Sequence, residues 1–332
     1  MSHLNGRILV TGGAGFIGSA LIHALNQRGL SDIVVTDLLG QDEKWKNLVP
    51  LKFADYVEAN TFRQRLHAHS GAFGKFSAVF HLGACSATTE KNATYLSDNN
   101  YEFTKELAAW TLGQHGRFNY ASSAATYGDG AQGMDDKSTD LAALRPLNMY
   151  GYSKHLFDLY AQRHGFLDEI VGVKYFNVFG PNEDHKADMR SLVNKAYQQI
   201  LVTGRVQLFK SHKPEYKDGE QMRDFLYVKD AVEMTIHFAE RATTSGGLYN
   251  LGSGEANTWL TLARAIFSAL GRDPAIEFID MPEVLRGKYQ YYTRADISKL
   301  RATGYDRPMT PLVEAVRDYV QGYLATGKKL GE

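Results

Sequence analysis

The stretch RILVTGGAGFIGSA, residues 7–20, constrains the fold more than any other part of the chain. A short apolar run reads as a strand. Glycines follow, and then FIGSALIHALNQRG (16–29) carries apolar residues at helical spacing and ends on a glycine suited to a helix C-terminus. The glycines match GxxGxxG through Gly12, Gly15 and Gly18, and equally GxGxxG through Gly13, Gly15 and Gly18. Glycine serves where a backbone must turn tightly and lie close to a pyrophosphate, and the helix behind it turns free N–H groups toward the anion. The glycine pattern alone is a weak signal; between a strand and a helix it points to a dinucleotide site, with an ordinary glycine-rich turn as the alternative.

The rest of the first half agrees. DIVVTD (32–37), SAVFHLGA (77–84), RFNYASS (117–123) and IVGVKYFNVFG (170–180) read as apolar strands, and YEFTKELAAWTLG (101–113) reads as a helix. Past Pro181 the regularity breaks. GPNEDHKADM and KSHKPEYKDGEQM are polar and loop-like, and they flank a helical run, SLVNKAYQQILVTG. DFLYVKDAVEMTIHFAE and YNLGSG (249–254) read as elements returning to the main sheet. The expected fold is α/β: a Rossmann-type doubly wound parallel sheet in residues 1–180, with 225–255 returning to it. A smaller interwoven C-terminal domain, mainly 181–332, is expected to bind substrate.

Composition narrows the partners. Lys+Arg and Asp+Glu both total 37, so no basic excess points to nucleic acid or an anionic membrane. The only cysteine among 332 residues is Cys85, so no internal disulfide forms and a reducing cytoplasm fits. The N-terminal MSHLNGRILVTGG lacks the long apolar run of an export signal, and no window nears the ~20 apolar residues of a membrane span. A cytoplasmic chain with no membrane partner is expected. No metal site is expected, and a homo-oligomer is.

Three groups of residues carry chemistry. Asp37 ends the second strand, where an acid usually binds the adenosine ribose hydroxyls. Lys44 and Lys46 follow; they either neutralise a 2′-phosphate or belong to a solvated loop, so the residues leave NAD and NADP both open. Asp55 is either an adenine contact or a turn residue. In PLNMYGYSK (146–154), Tyr150 and Lys154 are four apart and share a face if the segment opens a helix, whereas Tyr152 points elsewhere. A free phenol has a pKa near 10, and a nearby ammonium is expected to lower it. Ser123, at the end of RFNYASS, is placed to hold a substrate hydroxyl.

These features resemble the extended short-chain dehydrogenase/reductase family, marked by TGGxGxxG, a strand-end serine and Tyr-x-x-x-Lys. Within it the chain resembles the nucleotide-sugar epimerases that act on ADP-linked manno-heptose. The motifs are TGGAGFIGS, GACSATTE (83–90), DNNY (98–101), YASSAATYG (120–128), PLNMYGYSK, KYFNVFGPNEDHK (174–186), MRDFLYV (222–228) and GKYQYYTRADISKLRATGYD (287–306). The resemblance implies inversion of C6″ through a ketone, with NADP as cofactor and NAD as the alternative, in the making of a lipopolysaccharide core precursor.

The resemblance also assigns residues. It makes Tyr150 one acid/base and Lys186 a second, with Lys154 and Ser123 assisting. Two proton-transferring groups on different sides of a carbonyl serve the two epimers without moving the cofactor. Read without the resemblance, Lys186 is a surface charge. The implied cofactor wall is Gly12, Gly15, Phe16, Ile17, Gly18, Asp37, Leu38, Lys44, Leu82, Gly83, Ala84, Cys85, Ser86, Asn99, Lys154, Val178 and Lys186. The implied substrate contacts are Ser123, Asn177, Phe209, Arg223 and Tyr289, with Asp188 and Lys195 standing where a small hydroxyl residue and a histidine are expected. Arg223 either forks onto a diphosphate or pairs with Asp218 or Asp224; Tyr289 either contacts substrate or packs.

The chain departs from the pattern at Leu38, where a polar residue is expected, and in the inserted HKPEYKDGEQ (212–221). Dehydratases resembling this family carry Asp-Glu where this chain has Ala124 and Ala125, which argues against elimination. A 4-epimerase acting on a UDP-sugar shares the fold and the Tyr/Lys pair. A non-catalytic NAD(P) sensor has no need of Ser123, Tyr150 and Lys154 together.

Overall fold

The computed structural model describes residues 4–69, 71–240, 246–286 and 289–332. Residues 1–3 and Gly287 and Lys288 of the last quoted motif lie outside the described residues. The core is a seven-stranded parallel sheet. Its first six strands in chain order are β1 (Ile8–Thr11), β2 (Ile33–Asp37), β3 (Asp55–Glu58), β4 (Ala78–His81), β5 (Arg117–Ser123) and β6 (Val171–Tyr175), and Gly247–Leu251 is the seventh. Across the sheet the order is Gly247–Leu251, β6, β5, β4, β1, β2, β3.

The chain therefore winds one way from β1 through β3 and the other way from β4 onward. The order reverses between β1 and β4, and a crevice opens at such a switch point beyond the carboxyl ends of the strands.

Alternation explains why the strands are apolar throughout. Ile8 and Val10 of β1 join the core on one face with α1 (Phe16–Gln27), while Leu9 joins Phe62, Leu107 and Phe157 on the other. Successive side chains of a strand point to opposite faces, and here both faces are covered by helices.

IVGVKYFNVFG is not one strand. Val171–Tyr175 pairs with β5, the chain breaks at Phe176, and Asn177–Phe179 pairs in parallel with Phe225–Tyr227. Phe225–Tyr227 thus forms a ribbon outside the main sheet, and of the segments expected to return to it, Gly247–Leu251 is the one that pairs with β6. A further pair, Val206–Phe209 with Ile276–Ile279, backs helix Leu192–Thr203, whose N-cap is Ser191. Among the described residues no helix is long and apolar enough to cross a membrane.

Candidate active site

Two cavities meet over the switch point. One, of about 510 Å³, is lined by the glycine loop, the end of β2, residues 82–87, the ends of β5 and β6, and the Lys186 turn. The other, of about 680 Å³, runs between Phe176–Phe179, helix Leu192–Thr203, Phe209, Trp259 and Tyr289. Phe176, Val178, Lys186 and Met189 stand on both walls.

The glycine loop fits a dinucleotide. Gly12 has φ of 67°, and a Cβ on it would fall 2.6 Å from the backbone of Gly83, so only glycine lets the β1 and β4 ends approach. Gly15 caps α1 with no side-chain hydrogen bond, and the first turn holds no acid. Gly15, Phe16, Ile17 and Gly18 of that turn line the cavity, and a helix N-terminus at such a wall is suited to receive a phosphate.

Asp37 braces this loop. One carboxylate oxygen accepts the Ala14 N–H at 2.9 Å; the other accepts the Leu38 N–H at 2.7 Å and the Lys44 ammonium at 3.1 Å. Of the two candidate lysines, Lys44 is on the cavity wall, whereas Lys46 is exposed and pairs with Glu43.

The reactive side chains come from helix Met149–Arg163. Asn148 caps it by accepting the Gly151 N–H at 2.8 Å. A Cβ on Gly151 would sit 2.8 Å from the Ala125 carbonyl, so glycine lets the first turn lie against the end of β5. This brings Tyr150 to Ser123. Lys154 follows one turn later on the same wall, while Tyr152 is 45 % exposed on another side. Ala124 and Ala125 begin the short turn after Ser123 and offer neither acid nor base.

The electrostatics differ from expectation. Burial pushes the Tyr150 phenol up, and Ser123 pulls it down by a hydrogen bond. Desolvation outweighs the expected help from the ammonium. Burial also pushes Lys154 down to about 8, against the fields of Asp158 and Cys85. Lys186 is lowered by burial as well, with Glu183 opposing, and its ammonium lies 5.3 Å from the Phe16 ring centroid.

Most expected wall residues are brought together: Gly12, Gly15, Phe16, Ile17, Gly18, Asp37, Lys44, Leu82, Gly83, Ala84, Cys85, Ser86, Ser123, Tyr150, Lys154, Val178 and Lys186 line the smaller cavity. Asn177, Lys195, Phe209 and Tyr289 line the larger. Four expected residues line neither. Leu38 is 36 % exposed, and Asp188 is exposed with its backbone carbonyl accepting the Lys195 ammonium. The Asn99 side-chain amide donates to its neighbour Asn100. The π-helical turn Ser97–Glu102 sets Asn100 inward instead, where it is fully buried and hydrogen-bonds both the N–H and the carbonyl of Cys85.

Arg223, the fourth, is buried behind the larger cavity's wall. Its guanidinium lies 5.7 Å from the Trp259 ring and 5.0 Å from the Tyr289 ring. Neither proposed carboxylate pairs with it: Asp218 accepts the Ser211 N–H, and Asp224 accepts from Ser253, Gly254 and Ala295. Asp55 opens β3 three residues before Glu58, the partner of Asp37, so it lies about 10 Å upstream of the strand end where the cavity opens.

The turn bearing Lys186 holds residues that had no sequence signal. Ala187 has φ of 46° and ψ of −122°, a conformation costing an L-residue about 1–3 kcal/mol. Asn47 is buried, and its amide donates to the Ala14 and Asn182 carbonyls at 3.0 and 3.1 Å, joining the glycine loop to this turn.

Comparison with known proteins gives a consistent set. The model of the NAD dependent epimerase/dehydratase family matches residues 8–252. The chain is 51% identical over 317 residues to ADP-L-glycero-D-manno-heptose-6-epimerase of Nitratidesulfovibrio vulgaris strain Hildenborough, covering 96% of this chain and 98% of that one. It is 43% identical over 327 residues to the Fusobacterium nucleatum enzyme of that name, again with 96% and 98% covered. A solved structure of the Helicobacter pylori ADP-L-glycero-D-manno-heptose-6-epimerase superposes with a TM-score of 0.79 at 27% identity, covering 96% of each chain.

Proposed function

Because this chain belongs to the NAD dependent epimerase/dehydratase family, we propose that it is a nucleotide-sugar epimerase inverting C6″ of an ADP-linked manno-heptose between the D-glycero and L-glycero forms. One observation carries this reading: Tyr150 and Lys186 share the dinucleotide cavity from different elements, and Lys186 also faces the adjoining cavity. An epimerase that passes through a ketone must move a hydroxyl proton on either face of one carbon. When bound, the nicotinamide cofactor supplies the group that takes the hydride and returns it.

The chain supplies the proton chemistry and the positioning. Tyr150, held above the usual phenol value, is neutral at pH 7; it donates the proton on one side and takes it back when the reaction runs in reverse. Lys186, held below the usual lysine value, gives up its proton more readily and serves as the base on the other. Ser123 orients the Tyr150 phenol, and Lys154, with its ammonium at the cavity, holds a ribose hydroxyl.

The larger cavity takes the nucleotide sugar. Arg223 is buried with no carboxylate partner among the described residues, and it forks onto the diphosphate once the Tyr289 ring that stands between it and the cavity turns aside. Arg223→Lys keeps the charge and loses the fork. Steady-state kinetics are expected to show KM for the sugar nucleotide raised about tenfold or more, with kcat little changed.

The cofactor is NADP. Asp37 spends its carboxylate on two backbone N–H groups and on Lys44, so a cation stands beside a carboxylate that is already satisfied. A 2′-phosphate there meets Lys44, not a bare acid.

The test is NMR of the purified protein with one ADP-heptose epimer, followed by mass measurement of the nucleotide released on denaturation. The expected result is growth of the C6″-inverted epimer without net oxidation of added cofactor, and a released mass of NADP. No inversion of the offered epimer defeats the activity; a released NAD defeats only the cofactor assignment.

A further inference from the structure

We propose that Glu183 is the positioning residue for the second acid/base: it closes the turn between residues 183 and 191 and so holds Lys186 in a backbone arrangement the turn would not keep by itself. The inference rests on the reading of Lys186 given above. Ala187, directly after Lys186, occupies a left-handed region that L-residues rarely adopt. Such a conformation persists only where surrounding contacts over-determine it.

Glu183 supplies the crossing contact. Its side chain is fully buried. One carboxylate oxygen accepts the Ser191 hydroxyl at 2.6 Å and the other accepts the Ser191 N–H at 2.6 Å. Ser191 is the N-cap of helix Leu192–Thr203, so the same carboxylate sits at the favourable end of a helix dipole. A buried acid is expensive unless its oxygens are satisfied, and packing alone would be served by an apolar side chain.

The residues beside it anchor the base of the turn. Asn182 donates to Ser19 and accepts from the Leu330 N–H; Asp184 accepts from Asn194 and pairs with Lys329. With both ends fixed and Glu183 bridging them, Lys186 is left over the Phe16 ring between the two cavities.

The test uses the holoenzyme and follows hydride transfer from each epimer separately, in single turnovers read by the near-ultraviolet absorbance of reduced nicotinamide. Glu183→Gln keeps the shape but sets an amide donor against the donors of Ser191. It is expected to slow one epimer by about 10²-fold, the scale of a misplaced catalytic group, and the other hardly at all. The slowed epimer is the one that Lys186→Met also slows. Ala187→Gly in the Glu183→Gln background is expected to recover most of that rate and to raise the melting temperature, because glycine adopts the φ without strain.

A purely structural defect would slow both epimers alike and would not be cured at position 187. Equal slowing, no slowing, or no recovery with Ala187→Gly overturns the inference. If Glu183→Gln does not fold, Ser191→Ala removes the hydroxyl that Glu183 accepts, together with the cap it gives the Asn194 N–H, and is expected to give the same selective loss at smaller size; an unselective result overturns the inference. A Lys186→Met variant without selectivity overturns the two-base reading and this inference with it. A selective Lys186→Met beside an unselective Glu183→Gln overturns this inference alone.

Discussion

Replacing Tyr150 by Phe is expected to lower kcat by about 10³-fold or more, in the upper part of the roughly 10²–10⁴-fold range of general acid–base catalysis. The ring stays, so the packing of the first turn of helix Met149–Arg163 against the end of β5 is kept. Only the hydroxyl is lost, and with it the hydrogen bond to Ser123 and the proton the site needs on that side. Lys154 cannot take over, because its lowered ammonium serves as a donor and charge at the cavity, not as a phenol placed beside Ser123. The variant should therefore retain bound nucleotide and an ordinary melting temperature while turnover by NMR nearly vanishes. Unchanged turnover would end the assignment of Tyr150 as an acid/base.

The parts of the molecule legible from sequence are those written in short-range pattern. Strand–helix alternation and the glycines announced the doubly wound sheet, because apolar strands and a phosphate-binding turn each need a local spacing of residue types. Tyr150 over Tyr152 followed from helical geometry alone. β3 (DYVE) gave no such signal: it is a half-exposed edge strand of four residues without an apolar run. The break at Phe176 was hidden for the opposite reason, since IVGVKYFNVFG is apolar on both sides of a point where the chain leaves one sheet for another ribbon.

Site details failed where they depend on three-dimensional context. Asn99 and Asn100 are adjacent and identical in chemistry; only the π-helical turn, which inserts a residue into the helical phase, decides which one faces Cys85. Asn47 and Glu183 look like surface polar residues in a loop, and their partners lie far along the chain or in the backbone. The upward shift of Tyr150 has the same origin. Spacing shows that a lysine is near, and burial, which spacing does not show, sets the larger effect.

Lys186→Met is expected to cost about 10²–10⁴-fold in epimerisation, with the nucleotide still bound. Methionine keeps most of the apolar stem that lies against Phe16 and removes the ammonium from the cavity. The pH dependence carries a sign. Burial holds Lys186 below its ordinary 10.5, so its neutral, proton-accepting form gains population at lower pH than a free lysine would allow. Turnover of the epimer that needs this base should fall as pH drops through that lowered value, and the limb should disappear from the profile of Lys186→Met. Stability moves the other way from a stabilising ion pair: a lysine lowered in the folded state destabilises the fold below its folded pKa, and that penalty fades as pH rises toward the unfolded value. Removing the ammonium therefore takes a penalty away at neutral pH, and the melting temperature should not fall. A fully active Lys186→Met would end the two-base account, and a variant that loses activity together with its fold would place the role of Lys186 in structure instead.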